Sequence, residues 1–398
     1  MLLFANFPLL FIYMDFDVVI IGGGLVGASL AAALKSSGLN LALLENQPPT
    51  VDHTGWDSRI YAISPGNAAF LEKCNAWQRM DMSRVQTVAS MKVFGDTGAE
   101  LDFNAYQIGA PALNFILESR VLQQALWQEL LQQENLTIFQ SLRCESLTWD
   151  TDSADIQLND GRKLTAKLIV GADGRDSWVR QQAGLSAAPS SYDQHGVVAN
   201  FTIKKPHRGT AFQWFQPDGI LALLPLPQQM VSMVWSVSPD KSSTLLALPH
   251  DELCEQVAAA SQHMLGDLKL ITPPAAFPLR SLKLPHIIAP RLALIGDAAH
   301  NVHPLAGQGV NLGFRDAREL ASILNGRGAQ ADCGNMQLLR RYERARREDI
   351  VSMQYTTDTL KHLFINNNPL LRYARNIGLS VTNQLTPIKK MLARHALN

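Results

Sequence analysis

Long apolar runs are missing from this sequence. No stretch of about 18 apolar residues passes without interruption, so no membrane-spanning helix is expected. Cysteine is scarce as well. The four cysteines, Cys74, Cys144, Cys254 and Cys333, lie far apart and show neither CxxC nor Cys/His ligand spacing. That excludes a disulfide framework and a recognisable metal site, and it reads as free thiols in a reducing compartment. Charge of either sign is not in excess: Lys+Arg and Asp+Glu balance at 35 each, which argues against nucleic acid or a strongly charged substrate. Internal repeats and low-complexity segments are absent. What remains is ordinary globular composition, 46% hydrophobic and 18% charged, over 398 residues, a length that favours two lobes over one core. Residues 1–13, MLLFANFPLLFIY, are apolar but lack a basic n-region and a cleavage site. They read as an over-extended start or a tail, with Met14 as a natural beginning for the first strand.

Asp17-Val-Val-Ile-Ile21 is short, apolar and β-branched, the pattern of a buried parallel strand. Gly22-Gly-Gly24-Leu25-Val26-Gly27 follows, then a helix-forming run from Ala28 to Ser37 closed by Gly38, then a second strand over 39–44 ending at Glu45. This is a complete βαβ unit. A helix is expected over 117–133, strands near 137–140, 147–149 and 167–170, and a hairpin at Asp160-Gly161. Short alternating runs over 196–203, 210–215, 220–224 and 230–237 predict an antiparallel sheet. Residues 291–295 predict a buried strand returning to the first lobe, and 309–325 and 336–364 predict helices.

Three motifs carry chemistry. In the first, Gly22 permits the strand-to-helix turn, Gly24 lets backbone N–H groups approach a pyrophosphate, and Gly27 lets helix and strand pack closely. The helix N-terminus faces the phosphates, and Glu45 stands where a carboxylate accepts ribose hydroxyls. The second is Gly171-Ala-Asp173-Gly174-Arg-Asp-Ser177-x-x-Arg180. By itself, an Asp-Gly after a strand is usually just a turn. The third is Gly296-Asp297-Ala-Ala-His300-x-x-x-Pro304-x-x-Gly307-Gln308-Gly309-Val310-Asn311. An Asp at a strand's end binds a polyol hydroxyl, and a glycine-rich turn before a helix offers N–H donors to an anionic ring edge.

In this order and spacing the three motifs resemble the class A flavoprotein hydroxylases of the para-hydroxybenzoate hydroxylase fold. Pro-Leu-Ala-Gly-Gln-Gly-Val-Asn-Leu-Gly-Phe-Arg-Asp-Ala (304–317) is very similar to the ubiquinone-biosynthesis hydroxylases of the UbiH/UbiF/VisC group. The likeness runs from Phe16 to about residue 360 and is weakest at 180–280. It implies an α/β chain with a Rossmann-like FAD-binding lobe on a parallel sheet, an antiparallel-sheet substrate domain and C-terminal helices. The expected partition is FAD-binding at 14–75, 111–182 and 283–335, substrate domain at 76–110 and 183–282, and a helical region at 336–398.

The resemblance also implies roles. Gly22, Gly24, Leu25, Val26 and Gly27 hold the FAD pyrophosphate and Glu45 the adenosine ribose. Arg59, in Asp57-Ser-Arg-Ile-Tyr-Ala-Ile-Ser, lies near the phosphates, and Arg120 heads a helix that contacts FAD. Asp173 sits beside FAD and a visiting nicotinamide cofactor, and Asp297 takes the ribityl chain. Pro304, Gly307, Gln308, Gly309, Val310 and Asn311 lie against the isoalloxazine, the first four as the catalytic set.

A second Gly-x-Gly-x-x-Gly is missing, so no dedicated NAD(P)H domain is expected. The implied chemistry is transient reduction of tightly bound FAD by NAD(P)H or another reductant, then reaction with O₂ to a C4a-hydroperoxyflavin that hydroxylates an electron-rich ring. His195, His300 and His303 are available as bases, but each reads more readily as structural or exposed. Trp214, Phe215 and Trp235 suit a prenylated ring, with core packing the commoner explanation.

The leading reading is a ring hydroxylase of ubiquinone biosynthesis acting on a prenylated phenol or quinol. The rivals are a monooxygenase of a soluble aromatic compound and a non-catalytic flavoprotein subunit of a quinone-biosynthesis protein complex. After Asp358 no acidic residue occurs, while Lys361, Arg372, Arg375, Lys389, Lys390 and Arg394 interleave with Leu, Ile and Met. That pattern admits peripheral contact with the inner face of the cytoplasmic membrane for an otherwise cytoplasmic protein, against the plainer reading of a solvated face or a protein contact.

Overall fold

The structure is a computed structural model that describes residues 13–49, 55–96, 98–185, 190–303, 307–328, 330–365 and 383. The chain opens with β1 (Tyr13–Ile21), α1 (Leu25–Ala33) and β2 (Leu41–Glu45). Next come β3 (Ile60–Ile63), α2 (Pro65–Lys73), β4 (Gln86–Val88), β5 (Ser90–Phe94), β6 (Glu100–Asn104), the single turn α3 (Ala105–Ile108), β7 (Asn114–Glu118) and α4 (Ser119–Leu130). β8 (Leu136–Gln140), β9 (Cys144–Trp149), β10 (Ala154–Leu158), β11 (Lys163–Gly171) and α5 (Trp178–Gln182) complete the first half. The second half holds β12 (Ser190–Ile203), β13 (Thr210–Gln216), β14 (Gly219–Leu226), β15 (Met230–Val237), α6 (Pro239–Ala247), α7 (His250–Ala260), β16 (Leu268–Leu270) and β17 (Ala275–Ser281). The last elements are β18 (Ile288–Ala289), β19 (Leu292–Leu294), α8 (Gln308–Asn325) and α9 (Met336–Ile365). None of the helices described is long and apolar enough to cross a membrane.

One sheet runs β18-β19-β11-β1-β2-β8, with β10 and β9 extending from β11. Its five central strands, β19 through β8, are parallel. Val18, Val19, Ile20, Leu41, Leu43, Leu168 and Ile169 have no exposed surface, as expected for strands covered on both faces. The second sheet runs β16-β12-β15-β14-β13-β5-β6, with β17 on β12, and is antiparallel except where β13 meets β5. A third, small sheet, β3-β7-β4, joins the segments between them.

Three differences from the sequence reading have local causes. The first helix starts at Leu25, directly after Gly24, and the strand β7 extends through Glu118 before α4 begins. Two helices, α6 and α7, interrupt the region expected to be strands alone. Ser238 caps α6 by accepting from the Lys241 N–H, with Pro239 at its first position, and Asp251 and Glu252 lie in the first turn of α7. These helices cover one face of the second sheet. Trp214 and Trp235 are buried there with Leu245, Leu253 and Val257, so they are core residues, while Phe215 points to the opposite face against Val93, Leu101 and Ile220.

Helices α1 and α8 cross at close range. A Cβ on Gly313 would stand 2.6 Å from a Val26 methyl carbon and 3.2 Å from the Gly296 Cα. Gly313→Ala therefore overpacks the crossing and should cost about 1–3 kcal/mol. In urea titrations, adding Val26→Ala should recover part of that loss. Simple additivity of the two substitutions would show that the crossing is not the constraint.

Candidate active site

Three loops leave the same edge of the parallel sheet. Ile21, Gly171 and Leu294 are neighbours across β1, β11 and β19, so Gly22–Gly27, Ala172–Gly174 and Ile295–Asp297 emerge side by side. Backbone bonds tie them further: the Ala172 N–H donates to the Ile21 carbonyl at 2.8 Å and the Ile295 N–H to the Gly171 carbonyl at 3.0 Å. In open α/β sheets ligands bind outside this carboxyl edge.

The first loop is built by close approach. Gly22 has φ +107°, and a Cβ there would lie 2.4 Å from the Ala172 carbonyl oxygen. A Cβ on Gly27 would lie 2.0 Å from the Gly22 oxygen. At Gly24, by contrast, a Cβ would meet nothing within 4 Å, and the first N–H groups of α1 (Leu25, Val26, Gly27) follow it. The Glu45 carboxylate accepts from the Gly23 N–H at 2.6 Å and the Gln47 N–H at 2.7 Å. The Trp127 indole N–H donates to the Gly23 carbonyl at 2.9 Å, a support from α4 that nothing in the motif announces.

The third loop adds a second helix N-terminus. Gly307, at φ +61°, precedes α8, and a Cβ on Gly309 would again meet nothing within 4 Å. Gln308 is buried with its Oε1 unpartnered among the described residues. Val310 packs against the core of the first lobe. Asn311 has no exposed surface. Its Nδ2 donates to the Ala62 and Gly307 carbonyls, while its Oδ1 accepts from the Ser64 N–H and from Asn67. The Asn311 side chain thus clamps the α8 turn to β3 and α2, and it has no group left to face a ring. Pro304 lies outside the described residues.

Two acids and two arginines are expected beside these loops, and three of the four stand there. Asp297 is exposed by surface area, yet protein atoms crowd around its carboxyl group. That enclosure holds its carboxyl above the ordinary carboxylate range despite the pull of His300 and Arg175. Asp173 Oδ2 accepts from the Val179 N–H at 3.0 Å, and its Oδ1 has no partner among the described residues. Arg59 is exposed and sits beside Tyr61. Burial pushes the Tyr61 phenol up, with Arg59 opposing and Asp297 reinforcing the shift. Arg120 is committed elsewhere: it pairs with the fully buried Glu118 at 2.8 Å and donates to the Gly55 carbonyl. Glu118 also holds Arg84 and the Asp57 N–H, so this cluster shapes the Asp57–Arg59 segment. Asn200, from the second sheet, donates to the Asp57 carbonyl at 2.8 Å and joins the two lobes at this point.

His303 is buried against Gln194 and the Tyr192 ring, and His195 is a ladder residue of β12. His300 Nε2 lies 2.6 Å from Asp316 Oδ2, which also accepts from the Gly296 N–H, while Arg346 of α9 donates to Asp316 Oδ1 at 2.7 Å. Asp349 bridges Arg346 to Arg315. Burial raises the Asp316 carboxyl, but His300 and Arg346 outweigh it and hold it below the ordinary carboxylate range. No group of three His, Cys, Asp or Glu among the described residues is placed to hold a metal. Burial pushes the thiols of Cys74 and Cys333 up to about 12, so they stay protonated at neutral pH.

Open space over Gly24 and Gly309, the N–H groups of two helix starts, and the carboxylates of Glu45, Asp173 and Asp297 along one edge fit an extended dinucleotide carrying a polyol. Two expectations follow. Gly24→Val should leave the apoprotein's thermal midpoint near wild type while weakening FAD by about a hundred- to a thousandfold, as two or three charge-assisted bonds of about 1.5 kcal/mol are blocked; Gly22→Ala should instead destabilise the fold. Flavin absorbance after gel filtration reads the difference, and a Gly24→Val protein that retains FAD would sink the assignment. A depressed carboxylate stabilises above its unfolded pKa and loses that contribution as pH falls through the folded value. Asp316→Asn should therefore cost about 3–5 kcal/mol at neutral pH. In denaturation at graded pH the gap to wild type should narrow below about pH 4; a pH-independent gap would exclude the ionic account.

The FAD binding domain family matches residues 15–356. The ubiquinone hydroxylase UbiL of Rhodospirillum rubrum is 33% identical over 384 residues, covering 96% of this chain and 89% of that protein. The 3-demethoxyubiquinol 3-hydroxylase of Escherichia coli is 34% identical over 386 residues, covering 96% and 98%. Among solved structures, Pseudomonas aeruginosa PqsL in complex with 2-aminobenzoylacetate superposes with a TM-score of 0.78 at 22% identity, covering 92% of this chain and 100% of that one, a likeness of fold.

Proposed function

The chain belongs to the FAD-dependent monooxygenases, in the group of the ubiquinone-biosynthesis hydroxylases, and we propose that it hydroxylates the ring of a polyprenylated phenol or quinol on the way to ubiquinone. The observation that carries this reading is the convergence of all three motif loops on one edge of the parallel sheet, within a chain whose ubiquinone-hydroxylase relatives align over nearly its whole length.

Bound FAD supplies the activation of O₂ after reduction by a visiting nicotinamide cofactor or other reductant. The chain's own part is binding and placement. The Gly24 opening and the first N–H groups of α1 would hold the pyrophosphate, Arg59 would add a guanidinium, and Glu45 would take the adenosine ribose. Asp297 would take the ribityl hydroxyls, and Asp173 would sit beside FAD and the visiting nicotinamide cofactor. The N–H groups of Gln308, Gly309 and Val310 at the start of α8 would stabilise negative charge on the ring edge. Asn311 contributes by fixing that turn, and Arg120 by neutralising Glu118, so both act through position. A prenylated substrate calls for access from a membrane surface, which supports peripheral contact with the cytoplasmic membrane's inner face.

The test is a deletion strain. Its ubiquinone should fall, with a single ring-unhydroxylated intermediate accumulating by mass spectrometry, and Asp297→Ala should fail to restore it. Unaltered ubiquinone would favour a soluble aromatic substrate. Restoration by variants that no longer hold FAD would favour a structural subunit.

A further inference from the structure

We propose that the solvent-facing stripe of α9 docks on an anionic lipid bilayer. The charge of the chain is strongly divided. From Arg340 onward there are 11 Lys or Arg against 4 Asp or Glu, a net +7, while residues 1–339 carry 24 against 31, a net −7. α9 contributes six of those basic residues against all four acidic ones, and four of its arginines stand together on its exposed side. Arg340, Arg344, Arg347, Val351 and Tyr355 are all exposed, and their spacings of four, three, four and four residues align them along one face. Arg341 is exposed beside them. The stripe spans about 22 Å at 1.5 Å per residue, long enough to lie along a flat surface.

The other faces of α9 are accounted for. Leu339, Tyr342, Arg346, Ile350, Gln354 and Thr357 are buried against the body. Arg346 is neutralised by Asp316 and Asp349, whereas Arg340, Arg341, Arg344 and Arg347 make no ion pair among the described residues. Val351 and Tyr355 are 56% and 73% exposed, and they line a shallow hollow with Arg344, Arg347, Ser352 and the exposed Glu348, whose one negative charge leaves the arginines of the stripe in excess. Arginines at one end of a helical stripe and an exposed aromatic and aliphatic pair at the other match an interfacial helix. Guanidiniums meet lipid phosphates there, and the apolar pair enters the headgroup boundary. The chain's own following segment is a poor occupant, since residues 359–398 carry six basic residues and no acidic one. The choice of lipid over an acidic protein rests on the prenylated-substrate reading above.

The holoprotein is sedimented with vesicles of phosphatidylcholine alone or mixed with phosphatidylglycerol. Binding should require phosphatidylglycerol and weaken with salt. At about 1 kcal/mol per basic residue, Arg344→Glu with Arg347→Glu should weaken it at least tenfold, with flavin absorbance and thermal midpoint unchanged. Tyr355→Ser should weaken it while leaving the salt dependence intact. Three results would overturn the proposal: no sedimentation of the wild type, retention by polyglutamate in place of vesicles, or undiminished binding of the arginine variant when Lys389→Glu with Lys390→Glu abolishes it. Vesicle binding is measured without substrate, so its failure leaves the hydroxylase reading standing, and normal ubiquinone in a deletion strain leaves the lipid contact standing.

Discussion

Parallel strands paired in register end together, and that constraint organises this protein. Because Ile21, Gly171 and Leu294 stand side by side, segments far apart in sequence must turn within one small area. Side chains have to vanish where those turns meet. Gly22 passes the Ala172 carbonyl, Gly27 passes the Gly22 carbonyl, and Gly313 passes Val26 where the two helices cross. The same crowding packs α1 against α8 near both of their starts, and the N–H groups that a helix start leaves without an intrahelical partner suit anionic groups. The chemistry of the site is therefore largely backbone chemistry. Side chains such as Glu45, Asp173 and Asp297 add direction to a field that the fold has already set up.

What could be read beforehand follows from this division. Glycine spacing and β-branched runs report local backbone demands, so the three motifs and their strands stand out in a single sequence. Contacts that depend on which distant side chain arrives first do not. Asn311 sits inside a glycine-rich turn and looks like a ligand residue, yet four protein groups claim its amide. Arg59 and Arg120 look alike in the chain, and only Glu118, two residues before Arg120, hinted that one of them was already paired. Trp127 lies mid-helix with nothing to mark its bond to Gly23. Helices α6 and α7 carried cap and first-turn signals, but strongly alternating neighbours hid them.

Several polar links tie the second sheet to the first lobe, among them Arg175 to the Pro278 carbonyl, His303 to Gln194 and Asn200 to the Asp57 carbonyl. The Asn200 link falls on the segment bearing Arg59, so the second sheet is attached directly to that segment.

The buried carboxylate Asp316 has a consequence for biosynthesis on the ribosome. It holds the loop of Asp297 through Gly296 and His300, but it is neutralised by Arg346, in the last long helix. Strand β1 likewise waits for β11 and β19 before its edge is complete. A nascent chain can thus form its first βαβ unit early and still lack a finished flavin cleft until Arg346 has emerged from the exit tunnel.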